Sequence, residues 1–270
     1  MPATNEITVT QLNRLIGTPD CPVIVDICLK EDFEADPHLI PGSIRHSHTD
    51  IRGLIQRLVG RRAVIVCQKG LKLSQGLVAW LVSEGHRAEY LQGGIHAWRA
   101  EEGTMRVPYA ALPTPVDDAT LWVTRHRPKV DRIACPWLIR RFVDPAARFL
   151  FVSPSEVPAV ADRYGATPFD IEGVFYSHSG DSCTFDTMLE TFALTSAALG
   201  RLAMVVRGAD TNRHDLHPAA AGLLAVSVGL SRQYREDHAQ LEAGMVLYDA
   251  LYRWARDGYD EGHDWPASRG

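Results

Sequence analysis

The residue best placed for chemistry is Cys67, which follows an apolar run and precedes a short loop that carries Lys69 and Lys72. A cysteine thiolate is a strong nucleophile. If the loop amides and the start of a following helix point at the sulfur, they bind an anion and favour the thiolate. We therefore predict Cys67 as a catalytic nucleophile whose substrate-binding loop consists of Gln68, Lys69, Gly70, Leu71 and Lys72.

The elements around Cys67 follow from hydrophobic spacing. The run Ala63–Val66 is typical of a buried strand, and apolar residues then recur at helical spacing up to Gly85, a suitable C-terminal cap. The alternative interpretation is a structural cysteine at a buried strand end. A phosphatase loop of the form C-x5-R is excluded, because Leu73 stands where arginine would have to grip phosphate.

Four separated stretches carry a family resemblance. The loop Cys67 to Lys72 has the form C-x-x-G-x-K, and it is accompanied by Val-Ile-Val-Asp-Ile-Cys at 23–28, Ile-Pro-Gly-Ser-Ile at 40–44, and a Gly-Gly turn before Trp98. This combination resembles the rhodanese-type sulfurtransferases. The resemblance implies a doubly wound α/β domain with a parallel sheet, a persulfide on Cys67, a small-molecule or protein sulfur donor, a thiol acceptor, and no required cofactor.

Two positions depart from the pattern of that family. Its members usually carry Asp-x-Arg after the first strand, where this chain has Asp26 and Cys28, so a structural ion pair is expected to be missing. Serine usually follows the basic residue of the loop, whereas here Leu73 does and Ser74 comes one position later. Cys28 is either a resolving thiol or a small residue that fills the site of the lost arginine.

Composition limits the function classes. The 270 residues carry a formal charge of -5, so we expect no nucleic-acid partner. Five cysteines without a C-x-x-C pair fit reduced thiols. We see no secretory leader and no apolar run long enough for a membrane span, and we therefore expect a soluble, cytoplasmic protein with no membrane partner. The sequence does not indicate the oligomeric state.

The chain divides into two domains that differ in their expected secondary structure. We predict an α/β domain at 1–105, with a first helix at 5–16, and a Pro-rich and acidic linker at 106–120. The second domain, at 121–270, is expected to be mainly helical with a few short strands. Its predicted strands lie at 121–124, 148–152 and 173–177, and its predicted helices at 132–143, 155–164, 183–193, 196–204, 216–230 and 236–257.

The second domain has its own family resemblance. Ordered motifs include Asp131-Arg-Ile-Ala-Cys-Pro-Trp137, Phe-Asp-Ile-Glu-Gly at 169–173, Val-Arg-Gly-Ala-Asp at 206–210, and Tyr-Asp-Ala-Leu-Tyr at 248–252. Together they resemble the C-terminal domain of chromate-resistance proteins of the ChrB type. The resemblance implies an association with bacterial resistance to chromate, an oxyanion shaped like sulfate.

Two kinds of site are predicted in the second domain. Asp131 is expected to cap a helix, and the guanidinium groups of Arg132, Arg140 and Arg141 are candidates for an oxyanion site. The alternative is that the last two arginines only pair with carboxylates near a helix end. His178, Asp186 and Asp210 are candidate ligands for a divalent metal such as iron, manganese or zinc.

The sequence is consistent with two alternative functions. The chain is a sulfurtransferase coupled to a chromate-resistance domain that binds a metal or an oxyanion. Alternatively, it is a non-catalytic rhodanese-fold sensor or regulator that responds to chromate.

Overall fold

The computed structural model describes residues 5–262. Strands and helices alternate along most of the N-terminal domain, except that the third and fourth strands follow each other directly. The strands are β1 (Glu6–Ile7), β2 (Val23–Asp26), β3 (His38–Leu39), β4 (Ser43–Arg45), β5 (Ala63–Val66), β6 (Ala88–Leu91) and β7 (Val107–Pro108). The helices are α1 (Val9–Leu15), α2 (Lys30–Glu34), α3 (Ile51–Leu58), α4 (Lys72–Ser83) and α5 (Gly94–Ala100).

Five of these strands form one parallel sheet in the order β1-β6-β5-β2-β4. β5 lies at its centre, paired with β2 through Val25 and Ile65 and with β6 through Ile65 and Tyr90. A central parallel strand is covered on both faces and therefore has a continuous apolar sequence, as Ala63–Val66 does. The predicted α/β class of this domain is confirmed.

Successive residues of the central strands face opposite sides of the sheet. Val25, Ile65 and Cys67 share a buried cluster with residues of α3 and α4. Ile24 and Val64 belong instead to a larger cluster that includes residues of α1, α5 and the second domain. One face of the sheet is thus closed by two helices, and the other contributes to a core shared by both domains.

The second domain is mainly helical, as predicted. Its three strands β8 (Leu121–Arg125), β9 (Arg148–Val152) and β10 (Thr167–Pro168) form a small parallel sheet with β8 in the middle. The helices are α6 (Asp131–Leu138), α7 (Val157–Tyr164), α8 (Thr184–Thr191), α9 (Ala197–Asp210), α10 (Ala219–Gln233) and α11 (Asp237–Asp257).

Helix α6 carries Pro136 in its interior and is followed by a π-helical turn at Ile139–Val143. Proline has no N–H for the helical ladder, and its ring crowds the preceding turn, so local distortion of the helix is expected there. The turn contains Arg140 and Arg141, two of the predicted oxyanion residues.

The two domains are packed together. The Gly42 N–H donates to the Phe142 carbonyl at 2.6 Å. A side chain at Gly17 would collide with the rings of Phe142 and Tyr252, so the first domain approaches the second closely at this point. Within the predicted linker at 106–120, β7 pairs with β3 of the first domain. The start of that segment is therefore held by the first domain.

Several predicted elements differ from those observed. The predicted helix at 5–16 begins later, because Glu6 and Ile7 form an edge strand on β6 before Thr8 caps α1. The strand predicted at 173–177 is wrong, since this segment contributes only a single bridge between Phe169 and Tyr176. The helix predicted at 196–204 continues to Asp210. Among the described residues, no helix has both the length and the apolar character needed to cross a bilayer.

Candidate active site

Cys67 lies directly after β5, at the carboxyl edge of the parallel sheet, and is 5% exposed. Its carbonyl oxygen accepts a hydrogen bond from the Ile95 N–H at 3.0 Å, and the Gln68 carbonyl accepts one from the His96 N–H at 3.1 Å. The first turn of α5 thereby ties down the loop that follows the cysteine.

This loop requires glycine at two positions. Gly70 and Gly94 both have positive φ, at 66° and 59°. A Cβ atom at Gly94 would collide with the Cys67 carbonyl oxygen, and one at Gly70 would collide with the backbone at Leu91. The Gly-Gly turn before α5 and the cysteine loop therefore pack backbone against backbone.

The surroundings of the Cys67 sulfur favour its ionised form. Burial is the largest single influence and opposes ionisation. Hydrogen bonds from the Ser74 hydroxyl and from the backbone N–H groups of Ser74, Leu71 and Lys69 outweigh it and lower the pKa of the Cys67 thiol from its ordinary value. Cys67 Sγ lies 3.2 Å from Ser74 Oγ. Ser74 thus provides this contact although it stands one position later than the family pattern expects.

The remaining side chains of the loop differ in their roles. Lys69, Leu71 and Lys72 are exposed, and neither lysine takes part in an ion pair among the described residues. The Gln68 side-chain amide donates to Asp32 at 2.7 Å, so it is held on α2. The two lysines thus add positive charge, without an ion-pair partner among the described residues, to the segment that follows Cys67.

The ion pair that the sequence was expected to lack is present. Arg45, at the end of β4, donates to Asp26 Oδ1 at 2.8 Å. An arginine on the neighbouring strand therefore takes the place of the one replaced by Cys28. The Cys28 N–H also donates to Asp26 Oδ1, at 2.8 Å.

The pKa of Cys28 is shifted in the opposite direction to that of Cys67. Burial, followed by the nearby Asp26 carboxylate, raises the pKa of the Cys28 thiol far above its ordinary value. Cys28 also belongs to the buried cluster on the other face of the sheet from Cys67. A neutral thiol that packs on the opposite face is poorly suited to attack a Cys67 persulfide. These observations favour the space-filling interpretation of Cys28.

A cleft of about 780 Å³ lies between the two domains. Its lining includes Arg45, Arg57, Tyr109 and Asp144, but not Cys67. The cysteine loop is therefore a separate feature of the surface.

The three arginines predicted as an oxyanion site do not converge on a common point. Arg141 forms a two-pronged ion pair with Asp249, with both contacts at 2.7 Å. Arg140 pairs with Glu242 at 2.7 Å, whereas Arg132 lies 3.1 Å from Asp170. The arrangement matches the alternative interpretation, in which Arg140 and Arg141 pair with carboxylates.

A second polar cluster forms where the sequence predicted a metal site. His178 Nε2 lies 3.1 Å from Asp210 Oδ2, 3.5 Å from Asp170 Oδ1 and 3.7 Å from Asp131 Oδ2. We call these four residues the Asp131 cluster. His178 and Asp210 were predicted, whereas Asp131 and Asp170 were missed.

Asp186 does not join this cluster. Its carboxylate forms a two-pronged ion pair with Arg207 at 2.8 and 2.7 Å and accepts the Cys183 N–H at 3.0 Å. Asp186 therefore stabilises the N-terminus of α8, where an acidic residue in the first turn is favourable. Of the predicted ligands His178, Asp186 and Asp210, the structure brings His178 and Asp210 together but not Asp186.

Asp131 has a different role from the predicted one. It is the first residue of α6, and it accepts hydrogen bonds from the N–H groups of Thr184 and Phe185, at the start of α8, at 2.6 and 3.4 Å. Burial is the main cause of a raised pKa at Asp131, and the carboxylates of Asp210 and Asp170 add to it. Three acidic groups, of which Asp131 and Asp170 are buried and Asp210 is partly buried, thus approach one imidazole nitrogen.

Several known proteins are similar to parts of this chain. Protein ChrB of Cupriavidus metallidurans is 38% identical over 133 residues, which cover 48% of this chain and 39% of that protein. A rhodanese-like domain protein of Staphylococcus aureus is 28% identical, with 37% of this chain and 96% of that chain covered and a TM-score of 0.32. A thiosulfate sulfurtransferase of Pseudomonas aeruginosa is 24% identical, with 40% and 20% covered and a TM-score of 0.33.

Family models match both parts of the chain. The rhodanese-like domain model matches residues 8–101, and the model of the ChrB C-terminal domain matches residues 122–255. The chain therefore consists of a rhodanese-like domain joined to a ChrB C-terminal domain.

Proposed function

We propose that this protein is a sulfurtransferase that uses Cys67 as a persulfide-forming nucleophile. The observation that carries the proposal is the placement of Cys67 Sγ among the Ser74 hydroxyl and the backbone N–H groups of Lys69, Leu71 and Ser74. Donors of this kind stabilise negative charge on the thiolate and on the persulfide that replaces it.

The first step balances without any further reactant when the donor is thiosulfate. The Cys67 thiolate attacks the outer sulfur, a new S–S bond forms, and the S–S bond of thiosulfate breaks as sulfite leaves with the electron pair. The product is a Cys67 persulfide anion. A nucleophilic acceptor then attacks the outer sulfur of that persulfide, takes it, and restores the thiolate.

The exposed lysines suit an anionic donor. Lys69 lies in the loop and Lys72 begins α4, and both carry positive charge without an ion-pair partner among the described residues. They attract thiosulfate or a persulfide anion towards a helix N-terminus that favours negative charge. A donor class of small anions or protein persulfides follows from this arrangement.

The second domain sets the biological context of the proposal. We propose that the sulfur chemistry supports chromate resistance, because the matched relative is a ChrB protein and the two domains share one buried core. This chain covers 39% of the length of that relative. Free thiols at all five cysteines fit a reducing compartment such as the cytoplasm.

The test is thiocyanate formation from thiosulfate and cyanide by the full chain. Wild type and Cys28→Ser are expected to turn over at similar rates, whereas Cys67→Ser is expected to be inactive. Failure of the wild type to form thiocyanate with thiosulfate would overturn the sulfurtransferase assignment and favour the non-catalytic sensor. Equal activity of wild type and Cys67→Ser would overturn the role of Cys67.

A further inference from the structure

The Asp131 cluster brings together four side chains from four separate segments. Asp131 begins α6, Asp170 follows β10, Asp210 ends α9, and His178 lies in the loop before α8. All three carboxylates approach the same atom, His178 Nε2, at 3.1 to 3.7 Å. A ring nitrogen carries at most one hydrogen and can donate it well to one carboxylate only. Hydrogen bonding by His178 therefore does not account for the other two approaches.

The spacing of these atoms fits a shared cation. Nitrogen and oxygen ligands about 2.1 Å from one metal ion lie roughly 3.0 to 3.4 Å from each other in octahedral or tetrahedral geometry. The distances from His178 Nε2 fall in or close to this range. Ligand atoms of Asp131, Asp170 and His178 also lie within 4.8 Å of one another.

A second observation points to a ligand at Asp131. Its side chain is 0% exposed, and its Oδ1 atom is buried without a hydrogen-bond partner among the described residues. Oδ2 of the same carboxylate accepts from the start of α8 and also faces His178. Leaving a buried carboxylate oxygen unpaired is costly unless a cation or donor meets it.

The neighbouring arginines form direct ion pairs with only one of the three acids among the described residues. Arg125 and Arg132 approach Asp170 Oδ2 at 3.2 and 3.1 Å. No arginine or lysine is paired with Asp131 or Asp210 among the described residues. Asp210 is moreover the last residue of α9, where the helix dipole disfavours negative charge.

We infer that the Asp131 cluster is a divalent metal site in which Asp131, Asp170 and His178 are the ligands and Asp210 supports His178 from the side. Two carboxylates and one imidazole form a set of hard and borderline ligands, which suits a first-row transition cation such as Mn²⁺, Fe²⁺ or Zn²⁺. His178 is 42% exposed at its side chain, so the cluster meets solvent on that side. A cation could enter there and retain water.

The test uses the full chain after dialysis against a chelator. Titration with Mn²⁺, followed by calorimetry and by the loss of the free-ion electron paramagnetic resonance signal, is expected to show one bound ion per chain. Zn²⁺ is expected to compete for the same site. Lack of saturable binding of both Mn²⁺ and Zn²⁺ to the wild type would overturn the inference.

Variants assign the ligands. His178→Ala and Asp210→Asn are expected to bind Mn²⁺ at least about tenfold more weakly, since even indirect support of a metal ligand contributes on that scale. Asp181→Asn, in the same loop but exposed, is the matched control and is expected to bind like wild type. Asp186→Asn is also expected to bind normally. Wild-type affinity in a folded His178→Ala would contradict the ligand set.

The outcome is independent of the proposed sulfur chemistry. Cys67→Ser is expected to retain full Mn²⁺ binding, so failure of the sulfurtransferase assay does not affect this inference. Circular dichroism confirms that each variant is folded before its affinity is compared. His178 is the preferred site for the decisive variant because its exposed side chain makes little contribution to the core.

Discussion

The Sγ atom of Cys67 and the Oγ atom of Ser74 lie 3.2 Å apart, across the turn that joins β5 to α4. In the structure the Ser74 hydroxyl accepts from the Cys67 thiol and donates to the Leu71 carbonyl at 3.2 Å. With a neutral Cys67 the thiol can donate to Ser74, and with an ionised Cys67 the hydroxyl donates to sulfur. Ser74 is therefore placed to favour the reactive form of the cysteine.

Replacing Ser74 with alanine removes this donor. A hydrogen bond to a charged group contributes about 1.5–3 kcal/mol, so kcat/KM for thiosulfate at neutral pH is expected to fall at least about tenfold. The pH–rate profile is expected to move to higher pH, because the pKa of Cys67 rises when the donor is lost. Ser83→Ala, which changes an exposed hydroxyl at the other end of α4, is the matched control. An unchanged pH profile in Ser74→Ala would contradict this role.

Cys67 and Cys28 are expected to differ in how their reactivity changes with pH. The thiolate fraction rises with pH, and the lowered pKa of Cys67 shifts that rise to lower pH, whereas the raised pKa of Cys28 shifts it upward. Iodoacetamide should therefore label Cys67 first as pH is increased. Peptide mass spectrometry measures both sites in one sample. Earlier labelling of Cys28 would show that the assignment of the thiolate is wrong.

Gly94 is expected to be essential for the shape of the cysteine loop. Gly94→Ala places a Cβ atom against the Cys67 carbonyl at a positive φ, which is expected to lower the free energy of unfolding by about 2–4 kcal/mol. Urea unfolding measures the change. Gly76→Ala is the control, since Gly76 lies within α4 beside open space, and alanine there is expected to stabilise by about 0.5–1 kcal/mol.

The ion pair between Arg141 and Asp249 is expected to be structural. Arg141→Gln removes a two-pronged contact to a mostly buried carboxylate, and we expect a loss of about 1–3 kcal/mol in the free energy of unfolding. Arg253→Gln, which breaks a more exposed pair on α11, should change it by less than about 0.5 kcal/mol. Similar small effects of both substitutions would remove the structural role assigned to Arg141.

The cysteine loop could be predicted from sequence because its parts are contiguous. Cys67, the glycine three residues later and the apolar run before it define a strand, a turn and a helix within one short segment. The succession of strand and helix patterns on either side of β5 also made the α/β class of the first domain predictable. Local spacing carries this information directly, since side-chain direction follows from backbone periodicity.

The Asp131 cluster could not be predicted in the same way. Its members come from positions 131, 170, 178 and 210, and no fixed spacing relates them. Asp131 at a helix start and Asp186 in the first turn of α8 have the same local pattern, yet only Asp131 faces His178. The ion pair between Arg45 and Asp26 likewise joins two strands that are far apart in sequence. Such pairings depend on how the chain packs, which local patterns do not specify.

The most direct test of the central claim is the mass of the Cys67 peptide after incubation of the reduced protein with thiosulfate. We predict the addition of one sulfur atom at Cys67, its removal by cyanide with release of thiocyanate, and no addition in the corresponding peptide of Cys67→Ser. An unmodified Cys67 peptide in a folded wild-type protein, or a persulfide found only on another cysteine, would contradict the proposed sulfurtransferase mechanism.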